Sequence, residues 1–189
     1  PISFNISRKN YLKLKKVCEK VILKIYNLSP ITENKKSVLL TEINPNEYEY
    51  LISELSKKGV QILILNNRKP AIWDKNSLRI IRKYNCKILG LEELLSKEDK
   101  RNILEFSEQI KQKIRLLRNY NEEIRHSFLF DGISFWDCME KKLLEIFESR
   151  CEWYILLING VARIIQNYNI KSIISFNVIG ETEKAVLGI

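Results

Sequence analysis

Ser37-Val-Leu-Leu-Thr-Glu-Ile43 and, after a helical stretch, Val60-Gln-Ile-Leu-Ile-Leu65 decide the fold. Each run is almost continuously apolar, the mark of a strand buried on both faces of a parallel sheet. Between them, Asn44-Pro45-Asn46 starts a helix with Glu47 and Glu49 in its first turn, where the helix dipole favours acids. Tyr48, Leu51, Ile52 and Leu55 give that helix one apolar face, and Gly59 after Lys57-Lys58 reads as its C-cap. The stretch is a βαβ unit, whose crossover is expected to be right-handed.

Outward from this unit the pattern repeats. Asn66-Asn67-Arg68-Lys69-Pro70 is a connection, Asp74 or Asn76 caps a helix over residues 77–84, and Asn85-Cys-Lys-Ile-Leu89 is a third strand closed by Gly90. On the amino-terminal side, Ser7 caps a helix to Tyr26. Tyr11, Leu14, Val17, Cys18, Val21, Ile22 and Ile25 recur at helical spacing and are expected to face inward. Lys9, Lys13, Lys16, Lys20 and Lys24 lie mostly on the other side, as a solvated face or as a surface for anionic lipid headgroups. Residues 27–36, with Ser29-Pro30, read as a linker.

Beyond Leu91 a charged helix over 97–118 is expected to turn Ile103, Phe106, Ile110, Ile114 and Leu117 inward, and its basic end suits a helix C-terminus. Residues 119–132, with His126 and Asp131, read as the one long loop. Ser134 caps an aromatic-rich helix to Tyr168, broken or bent near Asn159-Gly160. Then come a strand over Lys171–Phe176, a turn over Asn177–Gly180 and a helix from Glu181. The expected architecture is α/β: a Rossmann-like three-layer sandwich with a parallel sheet of about four strands in the order 3-2-1-4, and long flanking helices. Residues 1–36 form an N-terminal helix and linker, and residues 37–189 the domain. A start at Pro1 and an end shortly into a helix read as a fragment of a longer chain.

The 189 residues carry 32 Lys and Arg against 23 Asp and Glu, and 45% are hydrophobic, enough for a real core and too many for a disordered chain. A net charge of +9 favours anionic partners: nucleotide-sugars, lipid phosphates, an anionic membrane or nucleic acid. Nucleic-acid binding rests on charge alone, since no recognition motif accompanies it. Cys18, Cys86, Cys138 and Cys151 form no CxxC pair and His126 is the single histidine, so neither a metal site nor a cofactor is expected. Scattered cysteines suit a cytoplasmic chain. The most apolar run, Trp153–Ile158, is far too short to span a membrane, leaving surface association as the only membrane contact expected. No GxGxxG, Walker, HExxH or GxSxG motif occurs.

In an open sheet of this order, ligands bind at the carboxyl ends of the strands, where the strand order reverses. Glu42, Asn44 and Asn177 are expected to gather there. Glu42 is the candidate catalytic base or ligand contact, with a salt bridge or solvent as its plain alternative. Arg68 and Lys69 are candidates for an anionic group, or a polar connection only. Asn177, Gly180, Glu181 and Thr182 form a second candidate ligand corner, because Gly180 permits close backbone approach and helix-start N–H groups are free. Glu181 and Glu183 oppose a phosphate there and favour sugar hydroxyls or an ammonium group; the plain alternative is that they only cap the helix.

The long helix 135–168, the strand Lys171–Phe176, its Asn177–Gly180 turn and the helix from Glu181 resemble the end of the N-terminal domain in GT-B-fold glycosyltransferases of surface-carbohydrate and capsular polysaccharide synthesis. Ser37–Ile43, Val60–Leu65 and Asn66–Pro70 fit the opening strands of such a domain. The resemblance implies an acceptor-side half of a nucleotide-sugar-dependent enzyme, inactive alone. Its partners would be a sugar or glycolipid acceptor and a C-terminal nucleotide-sugar-binding domain. The reading from another class is a non-catalytic Rossmann-like binding or assembly domain that docks a partner through helix 135–168.

Overall fold

The computed structural model describes residues 7–28, 34–116, 121–176, 184, 185 and 188. The chain divides into two compact units, residues 1–94 with 161–189 and residues 95–160.

The first unit is built on a parallel sheet of β1 (Lys36–Thr41), β2 (Gln61–Leu65), β3 (Lys87–Leu89) and β6 (Asn169–Ser175), in the order β3-β2-β1-β6. This is the expected 3-2-1-4 order, with the late strand returning beside the first. Successive side chains of β1 point to opposite faces. Val38 and Leu40 join Ile62 and Ile64 in a core with Ile52, Ile80 and Ile81. Leu39, Leu63 and Leu65, on the alternate positions, are fully buried too. Both faces are therefore covered, and burial of each of these large side chains contributes roughly 1.5–3 kcal/mol. β6 pairs with β1 through a bulge: Ser37 sits opposite Ile170 and Val38 opposite Ser172, so Lys171 is the extra residue.

α1 (Arg8–Ile25), α2 (Glu49–Lys57) and α3 (Lys75–Lys83) pack in this unit, followed by a short α4 (Leu91–Leu94). Ser7 caps α1 through a 3.4 Å bond from the Asn10 N–H. Asp74 and Ser77 form a reciprocal capping box on α3. All three helices end the same way, with a left-handed residue one position past the cap: Asn27, Gly59 and Asn85, at φ 52°, 69° and 50°.

α1 shares a unit with the sheet. One expectation is corrected here. Except for Ile22, the packing face of α1 is the opposite of the one expected: Lys15, Lys16, Glu19 and Leu23 turn inward with Ile22, while Tyr11, Leu14, Val17, Cys18, Val21 and Ile25 are exposed. Periodicity shows that a helix has two faces; the partner decides which is buried. Here the partner is a loop rich in unpaired backbone groups, and charged side chains satisfy those better than apolar ones do.

The second unit contains α5 (Lys97–Leu116), α6 (Asn121–Ser127), a two-strand hairpin of β4 (Leu129–Phe130) and β5 (Ile133–Ser134), and most of α7 (Trp136–Asn167). The expected long loop over 119–132 is thus largely helix and hairpin. Asp131 and Gly132, at φ 48° and 76°, form its two-residue turn. α7 runs without a break through Asn159-Gly160, where a break or a bend was expected. The Asn159 Nδ2 donates to the Ile155 carbonyl at 2.8 Å, and an isolated glycine costs a helix only about 1 kcal/mol. On α5, Ile103 is buried as expected but Phe106 is exposed.

Candidate functional site

The carboxyl ends of β1 and β2 are joined by side chains that imitate backbone pairing. The Glu42 N–H still donates to the Leu65 carbonyl at 3.0 Å, the last rung of the ladder. One residue further, Asn66 replaces the next rungs. Its Nδ2 donates to the Ile43 carbonyl at 2.7 Å, and its Oδ1 accepts from the Ile43 N–H at 3.0 Å.

Glu42 itself turns back across this junction. Its Oε1 accepts from the Asn67 N–H at 2.7 Å and from the Arg68 N–H at 3.0 Å. The Arg68 Nε stands 3.8 Å from Oε2, and the Glu42 side chain is only 4% exposed. The geometry requires φ 53° at Glu42, a left-handed conformation that costs a non-glycine residue about 1–2 kcal/mol. Two charge-assisted bonds from loop N–H groups offset that strain. A substrate hydroxyl reaching this carboxylate would have to displace loop bonds first. The position expected for a catalytic base is therefore occupied by a clamp.

α1 completes the junction from the other side. The Lys16 Nζ donates to the Asn67 carbonyl, the Lys15 Nζ to the Trp73 carbonyl, and the Glu19 Oε1 accepts from the Ile72 N–H at 2.8 Å. Burial lowers the pKa of Lys16, with the Glu42 and Glu19 carboxylates opposing that shift. Burial raises that of Glu19, against the bonds from Ile72 and Ala71 and the charge of Lys16. The whole of 66–73 is thereby fixed to β1 and α1.

The remaining expected residues fall around this frame. Asn44 is half-buried, with its Nδ2 donating to Glu47 at 2.7 Å and its Oδ1 accepting from the Asn46 N–H at 3.2 Å. Arg68 and Lys69 are exposed, and Lys69 has no hydrogen bond or ion pair among the described residues. Asn177, Gly180, Glu181 and Thr182 lie outside the described residues. Sequence reasoning missed Tyr48 as a site residue. Its ring lies 3.8 Å from that of Phe176, so an aromatic pair joins the start of α2 to the end of β6 at the point where strand order reverses. It also missed Asn66, Glu19, Lys15 and Lys16. A polar residue directly after a buried strand was the only sign of Asn66.

The first βα connection, Thr41-Glu42-Ile43-Asn44-Pro45, has no glycine, an acid on its first turn and a proline that removes an N–H. It lacks what a pyrophosphate cradle needs. Thr41 Oγ1, fully buried at the end of β1, makes no hydrogen bond among the described residues. A cavity of about 290 Å³ opens at the opposite, amino end of the sheet, lined by Lys35, Gln61, Tyr84, Asn85 and Lys87. α2 and α3 end there, so the lysines offset the negative ends of two helix dipoles, which accounts for them without a ligand. Among the described residues no cluster of His, Cys, Asp and Glu could hold a metal ion, and no helix is long and apolar enough to cross a membrane.

Comparison with family models, curated proteins and solved structures gives no match to this chain.

Proposed function

We propose that this chain is the acceptor-side half of a nucleotide-sugar-dependent glycosyltransferase of surface-polysaccharide synthesis, with its ligand site at the carboxyl ends of β1 and β6. The observation that carries the reading is the first βα connection. It lies at the reversal of strand order, where α/β sheets bind ligands, yet its glutamate and proline disfavour a diphosphate. A site of that placement, with an aromatic pair at Tyr48 and Phe176 and amide groups at Asn44 and Asn46, suits a neutral, hydroxyl-rich molecule. Aromatic faces accept the C–H faces of sugar rings, and amides pair with hydroxyls in either direction. Glu42 acts in this reading as a positioning residue that holds 66–68 in place, and Lys69, at the rim, makes no ion pair among the described residues.

The test is a titration of the isotope-labelled chain, followed by amide resonances, with a panel of oligosaccharides and of nucleotide-sugars. Acceptor sugars are expected to shift Asn44, Tyr48 and Phe176, while nucleotide-sugars leave them unmoved. Shifts of the same amides by nucleotides alone would replace the acceptor reading with a donor-binding one.

A second reading, a binding or assembly domain, is favoured by the second unit. Leu129, Phe130 and Ile133 on the hairpin, and Met139, Ile146 and Phe147 on α7, are all exposed. Exposed apolar residues that form a contiguous patch commonly mark a protein contact. If neither class of sugar ligand shifts the sheet-end amides, this reading takes precedence.

A further inference from the structure

The exposed side of α1 carries an arrangement that the sheet-end site does not use. Tyr11, Leu14, Cys18, Val21 and Ile25 recur at alternating steps of three and four, with Val17 beside them, and all are exposed. Lys13, Lys20 and Lys24 lie along one margin of this stripe, beside Val17, and are exposed as well. The helix is held to its own unit by the opposite side, through Lys15, Lys16, Glu19, Ile22 and Leu23, so its stability does not depend on covering the stripe.

We propose that α1 is an interfacial helix whose Tyr11–Ile25 stripe docks on an anionic lipid surface. The charge of the chain is concentrated here. The first unit holds 21 Lys and Arg against 11 Asp and Glu, whereas the second holds 11 against 12. Within α1 itself there are seven Lys and Arg, and the single acid, Glu19, is buried against the protein. Lys13 and Lys24 make no ion pair among the described residues, and Lys20 has only a 3.8 Å contact with Glu92, both groups being more than half exposed. Apolar residues on one helix face, with lysines along one margin, fit acyl chains below and anionic headgroups beside them. At 18 residues, α1 lies on such a surface and does not cross it.

The occupant that competes for the stripe is a second copy of α1, since steps of three and four also suit a helix pair. Two features weigh against it. The repeat lasts only about two heptads, short of the three or four a coiled coil needs. The exposed side also offers no acid to pair with the partner's lysines. Docking would leave the 66–73 loop, held by the inward side of α1, about 10 Å from the lipid, one helix diameter. The inference stands whether or not the sheet end binds a sugar.

The whole chain is tested for co-sedimentation with vesicles of phosphatidylcholine and phosphatidylglycerol, and of phosphatidylcholine alone, at low and high salt. Binding is expected only to the anionic vesicles and is weakened by salt. Each juxtamembrane lysine strengthens partitioning about fivefold, so K13Q/K20Q/K24Q is expected to weaken it about a hundredfold. Leu14→Ser and Val21→Ser, both at solvent-exposed positions, are expected to weaken it further while leaving the melting temperature unchanged. An environment-sensitive dye on Cys18, in a Cys138→Ser background, should shift to the blue when anionic vesicles are added. Absence of vesicle binding, binding that survives these substitutions, or a concentration-dependent dimer dissolved by Leu14→Ser would each overturn the proposal.

Discussion

The two units use apolar residues in opposite ways. In the first, β1, β2 and β3 are sealed on both faces, and backbone groups at the ends of β1 and β2 and in the following loop are paired through Glu42, Asn66 and Glu19. In the second, Leu95, Ile103, Trp136, Leu144 and Leu157 are buried, while Phe106, Phe130, Ile133, Phe147 and Ile158 face water. The first unit is basic and the second close to neutral. Similar hydrophobic content thus gives a closed sheet core in one place and an open hairpin-and-helix surface in the other. The difference lies in geometry: a parallel sheet gives each strand two covers, whereas an amphipathic helix buries one stripe.

The largest effect that would sharpen this contrast comes from paired truncations. Ile64→Ala, in the sealed sheet, is expected to lower stability by about 4 kcal/mol in urea denaturation. Phe130→Ala, at 73% exposure, should stay within about 0.5 kcal/mol. Comparable losses at the two sites would mean that the hairpin is covered and the contrast is false.

Next in size is the junction between β1 and β2. Glu42→Ala removes the acceptor for two loop N–H groups and is expected to cost about 2–3 kcal/mol. Glu42→Gly loses the same bonds but relieves the positive φ, so it should be less damaging by about 1 kcal/mol. Hydrogen exchange at the Asn67 and Arg68 amides should quicken in both variants. If those amides exchange at wild-type rates, Glu42 is not the clamp.

A smaller difference should appear within the native protein. Amides of β1 and β2 are expected to be protected roughly tenfold or more beyond those of α5, since α5 has few buried side chains to hold it shut. Uniform protection would merge the two units into one cooperative body.

The smallest effect concerns Glu19. Burial raises its carboxyl pKa above the ordinary 4.5. The neutral acid is therefore favoured in the folded state. Its contribution to stability is fully present below the unfolded-state pKa and is lost as pH rises through the folded-state value. Glu19→Gln keeps an oxygen for the Ile72 N–H and should flatten stability against pH just above 4.5. An unchanged slope in thermal melts across that range would remove Glu19 from the account.

The sheet was legible because buried strands announce themselves. Val38–Leu40 and Ile62–Leu65 are apolar without alternation, and Gly59 closes the helix between them as expected, although that helix starts at Glu49, later than Asn44-Pro45-Asn46 indicated. Even the strand order was the expected one. The face of α1 was not legible, since the stripe that looks like a core in sequence is the one left outside. Nor was the hairpin at Asp131-Gly132, although Asp-Gly between apolar residues is a strong two-residue turn signal. At the sheet end, position was readable and role was not. Glu42 was found from its place after β1, but only geometry reveals that its carboxylate is spent on the backbone of the neighbouring loop.

The bulge at Lys171 reaches beyond local pairing. An open sheet has two unpaired margins, and each invites another chain to add a strand. Here one margin is β3, three residues long, and the other is β6, interrupted by an extra residue whose side chain is a charged lysine. Neither offers a long, regular row of free N–H and C=O groups. The same irregularity that shifts the β1–β6 register by one residue thereby makes β6 a poorer template for a further strand.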